Sequence, residues 1–252
     1  MAVKEESMTN NSFREERALI AQACRILASR GLADGILGHI SLRAGDGCLL
    51  VRCRGPRERG LEYTVAEDIR LVRFDGTEGA PGELDEWKVP NELPLHVEVL
   101  QMRNDVAAVV HAHPPRIVAA DLAGIEIRPI VGAFDIPGTK IAAGGVPVYP
   151  RGVLVRNQSL AAEMVTAMKD RPVVVLRAHG ITSAAPTVEQ AVLQAISLDA
   201  IAGLSLQVVS AGGTLRDLAD EDMAELPDLG AGFNLEVTWR HEVARLERFT
   251  TP

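Results

Sequence analysis

The segment VVHAHPP, residues 109–115, places His111 and His113 one residue apart behind a run of small and β-branched apolar residues. Such a run predicts a buried strand. Alternate side chains of a strand point to the same face, so the two imidazoles can bind one metal ion together. Taken alone, the pair is equally compatible with two histidines that are hydrogen-bonded at a strand end and bind nothing.

Two further segments favour the metal-site interpretation. The stretch PVVVLRAHG, residues 172–180, predicts a second buried strand that ends in His179, and the glycine after it permits close approach of another group. Glu92 stands at the start of a predicted helix that leads into the first strand. Three imidazoles and a carboxylate are typical ligands of a divalent transition metal with a position left open for substrate.

The elements that carry these residues alternate between strand and helix. A first helix is predicted behind Ser12 and Glu15, which have capping-box spacing, and a hairpin is predicted over about residues 36–54. Strand and helix patterns then alternate as far as a long alanine-rich helix over residues 187–211, which we interpret as a core or subunit-contact helix. This alternation predicts an α/β layered architecture.

Composition limits the classes of function. The 252 residues predict a single domain, with residues 1–11 as a flexible tail. A net charge of -8 argues against nucleic-acid binding, and we expect no membrane-spanning segment. The three cysteines lack CxxC spacing, which argues against disulfides and thiolate metal sites and favours a cytoplasmic location.

The order of the motifs PNELPLH, DVAAVVHAHPP and VVVLRAHGI, followed by TVEQA, resembles the class II aldolase/adducin family. The segment DGILGHISLR resembles the G-N-x-S-x-R segment of that family, and the resemblance extends from about residue 15 to about residue 205. It implies a three-layer α/β/α fold with a central mixed sheet, and a homotetramer with active sites at subunit boundaries. It also implies one divalent metal ion per subunit, held by His111, His113 and His179, with Glu92 as a further ligand or as the acid/base.

The sequence departs from the sugar-phosphate members of the family in two places. His39 replaces their asparagine, and VRCRGPRERG replaces their phosphate-binding cluster of small residues. These departures resemble the branch that decarboxylates hydroxylated aromatic dicarboxylates. Arginine suits bidentate capture of carboxylates, although each arginine here could also be a solvated residue of an edge strand.

The resemblance therefore implies a metal-dependent carbon–carbon lyase that acts on a small molecule. The alternatives are a sugar-phosphate or sugar-acid aldolase or epimerase on the same metal site, and a non-catalytic adducin-like interaction module. The metal could be zinc, manganese, cobalt or iron. Glu92 is expected as general acid/base with His39 as the competing donor, while His96 either supports the site or packs within its helix. The expected substrate-binding residues are Ser41, Arg43, Arg54 and Arg57.

Overall fold

The computed structural model describes residues 13–45 and 47–250. The predicted tail and Ser12 of the predicted capping box lie outside these residues. The core of the molecule is a seven-stranded sheet in the order β3-β2-β1-β4-β7-β6-β5. The only parallel pair in the described sheet is β5 with β6, so the sheet is mixed, as predicted. The strands are β1 (His39–Arg43), β2 (Cys48–Arg52), β3 (Ile69–Arg73), β4 (Ala108–Ala112), β5 (Val148–Tyr149), β6 (Val173–Leu176) and β7 (Gly180–Ala185).

Helices cover both faces of this sheet. They are α1 (Arg14–Ser29), α2 (Leu93–Met102), α3 (Pro115–Leu122), α4 (Ile136–Ala142), α5 (Gln158–Met168), α6 (Val188–Ser210), α7 (Asp220–Glu225) and α8 (Thr238–Thr250). Short 3₁₀ helices follow β2 at Leu61–Tyr63 and Ala66–Asp68, and a π-helix at Gly232–Val237 precedes α8.

Alternation along the strands separates two apolar cores. Leu50 and Val110 belong to the core beneath α1, α3 and α6, whereas Leu49 and Val109 belong to the core beneath α2 and α5. A period-2 pattern produces this division because successive side chains of a strand point to opposite faces. The predicted three-layer α/β/α arrangement is confirmed.

The long helix α6 is apolar and long enough to cross a membrane, by length and composition alone. Half of its most apolar window is buried, and the helix packs on β4, β7, α1, α3 and α4. These contacts account for its composition as that of a core helix, which agrees with one of the two predicted roles.

Strand register brings the start of β1, the end of β4 and the start of β7 together at one end of these strands. His39 pairs with His111 across β1 and β4, and His111 pairs with Thr182 across β4 and β7. At the first residue of β7, a Cβ on Gly180 would lie 2.2 Å from the carbonyl oxygen of Ala112. Only glycine therefore permits the close approach that joins the two strands next to His113.

Two elements form where the local sequence pattern does not predict them. β7, with the sequence GITSAA, carries little β-propensity of its own, and it is a strand because β4 and β6 pair with it on both sides. Helix α4 lies within a glycine-rich stretch that favours a loop, and it begins where Asp135 accepts a hydrogen bond from the Gly138 N–H at 2.8 Å. In both cases tertiary contacts outweigh local propensity.

Candidate active site

Three histidine rings form a nearly equilateral triangle where β4 ends and β7 begins. The ring centroids of His111 and His113 are 4.8 Å apart, and each lies 4.9 Å from the centroid of His179. His111 lies in β4 and His113 just beyond its end, while His179 lies in the turn that joins β6 to β7. The structure thus brings together the three imidazoles that the sequence analysis selected.

The protonation of His111 is fixed by the neighbouring strand. Its Nδ1 lies 3.0 Å from the carbonyl oxygen of Ile181. A carbonyl can only accept, so Nδ1 carries the hydrogen and donates it, and the Nε2 atom of the neutral ring keeps a free lone pair. That Nε2 lies 2.9 Å from Nε2 of His113 and 3.2 Å from Oε2 of Glu92.

Glu92 completes the group from the N-cap position of α2. Its Oε1 accepts a hydrogen bond from the backbone N–H of Val155 at 2.8 Å, and its Oε2 lies 3.6 Å from Nε2 of His179. Burial acts to raise the pKa of Glu92, but the neighbouring imidazoles of His111 and His179 and the N–H of Val155 outweigh burial and lower it to about 2. The side chain is therefore a carboxylate at neutral pH.

These four side chains fit a divalent cation. The lone pair of His111 faces an oxygen of the Glu92 carboxylate, and because neither atom carries a hydrogen these like partial charges repel unless a cation lies between them. One ligand atom from each of Glu92, His111, His113 and His179 lies within 4.8 Å of the other three. Within residues 13–45 and 47–250, no other group of three or more such side chains converges in this way.

The imidazoles of His113 and His179 are held in the form that binds metal. Burial lowers the pKa of His113 to about 3, and the charges of His111 and His179 act in the same direction. Burial and the charge of His111 also lower the pKa of His179. Because a metal ion needs neutral imidazole, the environment removes the competing proton before any ion binds.

His39, His96 and Ser41 form a hydrogen-bonded chain of side chains next to the histidine triangle. The ring of His39 stacks on that of His111 at 5.0 Å, and Nδ1 of His39 lies 2.7 Å from Nε2 of His96. Nδ1 of His96 in turn lies 2.7 Å from Oγ of Ser41. Ser41 is completely buried, which argues against its expected contact with substrate, because its hydroxyl is directed into the protein.

Arg43 does not belong to the site. It ends β1 at the opposite end from His39, and its Nη2 donates to the backbone carbonyls of Leu100, Arg103 and Val106. These carbonyls lie at and beyond the C-terminus of α2, where helices leave acceptors without partners. The expected substrate-binding role is therefore replaced by a structural one.

Arg54 has a neighbour that the sequence does not reveal. Its backbone N–H donates to the carbonyl of Lys88, and the N–H of Lys88 donates to the carbonyl of Arg54, both at 2.9 Å. This bridge joins the loop after β2 to the segment that leads into Glu92. Arg57 is exposed on the same loop, whereas Arg52 is buried in an ion pair with Glu58. Arg54 and Arg57 thus remain available to a ligand.

Three contributors to the site have weak sequence signals. The i, i+4 spacing of His96 from Glu92 permits a contact on one helix face, but the partners of His96 come from β1. Lys88 pairs with Arg54 through the backbone, and the N–H of Val155 donates to the Glu92 carboxylate; both are long-range contacts that no local pattern encodes.

Comparison with known proteins identifies relatives of this chain. The family described as Class II Aldolase and Adducin N-terminal domain matches residues 18–206. A 3,4-dihydroxyphthalate decarboxylase of Arthrobacter keyseri is 72% identical over 231 residues, which cover 91% of this chain and 93% of the relative. The enzyme of the same name from a Terrabacter species is 65% identical over 237 residues, which cover 94% of this chain and 99% of the relative.

A solved structure supports the same architecture. The aldolase II superfamily protein from Pseudomonas syringae superposes with a TM-score of 0.78 at 22% sequence identity, and the match covers 94% of each chain. At this identity the likeness establishes the fold alone.

We expect about one divalent ion per chain, and we expect His113→Ala to remove most of it because the triangle loses one of three imidazoles. Elemental analysis of the purified protein after dialysis against a weak chelator measures the metal content. His241→Ala is the matched control, because His241 is an exposed histidine of α8. Near-stoichiometric metal in a His111→Ala/His113→Ala double variant would refute this location.

Proposed function

The chain belongs to the class II aldolase and adducin family, and we propose that it decarboxylates 3,4-dihydroxyphthalate at a divalent metal held by Glu92, His111, His113 and His179. The chain is a carbon–carbon lyase, a decarboxylase of hydroxylated aromatic dicarboxylates. The observation that carries the specific substrate is 72% identity over 91% of the chain to an enzyme of that name. The convergence of three imidazoles and one carboxylate supports the proposed metal site.

The chemistry follows from the position of the hydroxyl next to the departing carboxylate. Protonation of the ring carbon that bears this carboxylate gives a keto form, and loss of carbon dioxide then returns the bonding electrons to the ring and the hydroxyl oxygen. One proton is taken up, one carbon–carbon bond breaks, and 3,4-dihydroxybenzoate remains. A divalent cation in the site supplies Lewis acidity for the oxygen on which negative charge develops.

Glu92 is the proposed proton carrier. Its carboxylate can accept the proton of the substrate hydroxyl and return it to the ring carbon, since both atoms belong to neighbouring positions of one ring. Val155 holds the Oε1 atom and the Oε2 atom lies 3.2 Å from Nε2 of His111, so we assign the proton to Oε2 once substrate takes the place of Glu92 beside the histidines. Proton transfer by a positioned carboxylate is worth on the order of a hundredfold or more in rate.

Arg54 and Lys88 are the proposed contacts of the second carboxylate. Residues that pair directly across two strands present their side chains to the same side, so the bridge places two cations next to each other. Like charges so placed repel, and among the described residues neither side chain has an acidic partner. A planar carboxylate between them would relieve the repulsion, and Arg57 offers a further cation on the same loop.

Our expectations for the metal and for the oligomeric state come from the family resemblance. Imidazole and carboxylate ligands accept zinc, manganese, cobalt and iron alike, so availability in the cell decides which ion is bound. A homotetramer in the cytoplasm remains our expectation from the resemblance. The exposed apolar side chains of Phe134 and Phe233 are compatible with contact between subunits.

The metal-loaded protein should release carbon dioxide from 3,4-dihydroxyphthalate in equal amount to the 3,4-dihydroxybenzoate formed. A ketose 1-phosphate serves as the competing substrate, and chromatography and an aldehyde assay follow both reactions. Release of aldehyde from the sugar phosphate without carbon dioxide from the aromatic acid would identify an aldolase instead. No turnover of either substrate would favour the non-catalytic interaction module.

Glu92→Gln should lower turnover of the aromatic substrate by on the order of a hundredfold or more, because the amide cannot carry the proton. The three imidazoles remain, so most of the metal should stay bound. Steady-state kinetics and metal analysis on the same preparation separate the two effects. Turnover close to that of the parent would leave Glu92 a purely structural residue at the start of α2.

Arg54→Lys should weaken the preference for 3,4-dihydroxyphthalate over 2,3-dihydroxybenzoate, which lacks the second carboxylate. Lysine keeps the charge but loses the bidentate geometry, and such a contact is worth about 1.5–3 kcal/mol, or roughly ten- to a hundredfold in kcat/KM. Arg59→Lys is the matched control, because the Arg59 guanidinium lies 5.1 Å from the centre of the Tyr63 ring. If Arg54→Lys and Lys88→Met both keep the preference, the carboxylate binds elsewhere, and Arg57 is tested next.

A further inference from the structure

The two hydrogen bonds that join Ser41, His96 and His39 donate in the same direction along this chain of side chains. Ser41 and His96 are completely buried, and each of the two contacts along the chain is 2.7 Å long. Each contact holds one hydrogen between two heteroatoms. Because a neutral imidazole donates from one nitrogen and accepts at the other, fixing the first contact fixes the second.

The hydroxyl of Ser41 decides between the two directions. If Ser41 donates to Nδ1 of His96, then Nε2 of His96 donates to Nδ1 of His39, and the Ser41 hydroxyl and both nitrogens of His96 are satisfied. In the opposite direction the Ser41 hydroxyl accepts, and its own hydrogen needs another acceptor. Among the described residues the Ser41 side chain contacts no acceptor other than His96. A buried hydroxyl without an acceptor is costly, so the first direction prevails.

We infer that Ser41 and His96 are positioning residues that hold His39 with its hydrogen on Nε2, so that His39 presents an N–H donor to an anionic oxygen of the aromatic substrate. This inference rests on the proposed function for the identity of the substrate. A doubly protonated His39 is disfavoured by the same argument, because it would donate from Nδ1 and reverse the chain.

The location of His39 agrees with this role. It pairs with His111 across β1 and β4, and the two rings stack with an interplanar angle of 29°. Nδ1 of His39 is engaged by His96, while no described residue hydrogen-bonds its Nε2. The free nitrogen of the ring is therefore the one that can meet a ligand next to the proposed metal ligands.

Glu92 and His39, which the sequence analysis left as competing proton donors, thus have different roles. A neutral imidazole N–H is a good hydrogen-bond donor and a very weak acid, so His39 stabilises negative charge on oxygen without giving up its proton. The transfer of the proton to the ring carbon then belongs to Glu92. His39 is accordingly a substrate-contacting residue, and His96 and Ser41 act through it.

Nitrogen-15 NMR of the histidine side chains tests the tautomer directly. Protonated and unprotonated ring nitrogens resonate in separate regions, and the spectrum is recorded on the metal-free and the zinc-loaded protein, without substrate. His39→Asn identifies the signals of His39 by their loss. We expect the hydrogen on Nε2 of His39 in both samples. A hydrogen on Nδ1 of His39 overturns the inference.

Two substitutions of nearly equal size at His96 test the function of the chain. In His96→Gln the side-chain amide can donate to Nδ1 of His39 and accept from Ser41, which preserves the direction. In His96→Glu the carboxylate can only accept, which moves the His39 hydrogen to Nδ1. We expect kcat for the glutamate variant to be at least tenfold below that of the glutamine variant at equal metal content. Equal kcat in the two variants overturns the inference.

Ser41→Ala provides the same test if the glutamate variant does not fold. Without the hydroxyl, Nδ1 of His96 has no partner in either direction, so both tautomers of His39 should be populated and the nitrogen signals should shift toward intermediate values. Unchanged signals in Ser41→Ala overturn the positioning role of Ser41. Absence of turnover in the parent chain overturns the proposed function, whereas an Nδ1-protonated His39 in a parent that turns over overturns this inference alone.

Discussion

The hydrogen bond from Nδ1 of His111 to the carbonyl of Ile181 determines which nitrogen of His111 is free to bind a metal ion. It consumes the only hydrogen of a neutral ring and leaves the lone pair of Nε2 facing Glu92 and His113. Ile181 belongs to β7 and pairs with β4, so the acceptor is as rigid as the sheet itself. Without this pairing the ring could turn its hydrogen toward the carboxylate, and the four ligand atoms would no longer share one point.

This arrangement concentrates polar groups where a protein usually excludes them. Five of the six histidines of the chain, all except His241, lie in one connected cluster at one end of the central strands. Contacts between neighbouring side chains give most of these imidazole nitrogens a partner, although Nδ1 of His179 has none, and two apolar cores on opposite faces of the sheet offset the cost of removing the rings from water. The clustering therefore explains why a chain with few histidines places two of them at the end of one buried strand.

The sequence predicts the centre of the site better than its surroundings. The spacing of His111 and His113 encodes a shared face locally, and the layered α/β architecture follows from strand and helix periodicity, whereas the three-layer arrangement is implied by the family resemblance. The function of Arg43 depends on where the C-terminus of α2 lies, and that of Ser41 on an imidazole from another element. β7 is equally dependent on its neighbours, because small and polar residues become a strand only between two existing ones. Such properties arise from pairings between distant segments, which periodicity and spacing do not describe.

The bridge between Arg54 and Lys88 lies on segments other than those that carry the three histidines. The proposed metal ligands lie on β4, on the turn between β6 and β7, and at the start of α2, while the cations proposed to meet the second carboxylate are joined through the loop after β2. If these cations bind the second carboxylate as proposed, mutations in that loop change which anions are accepted and leave the three histidines in place. Under this proposal anion selection and reactivity belong to separate parts of the chain, so a change of accepted anion requires no change at the reactive centre.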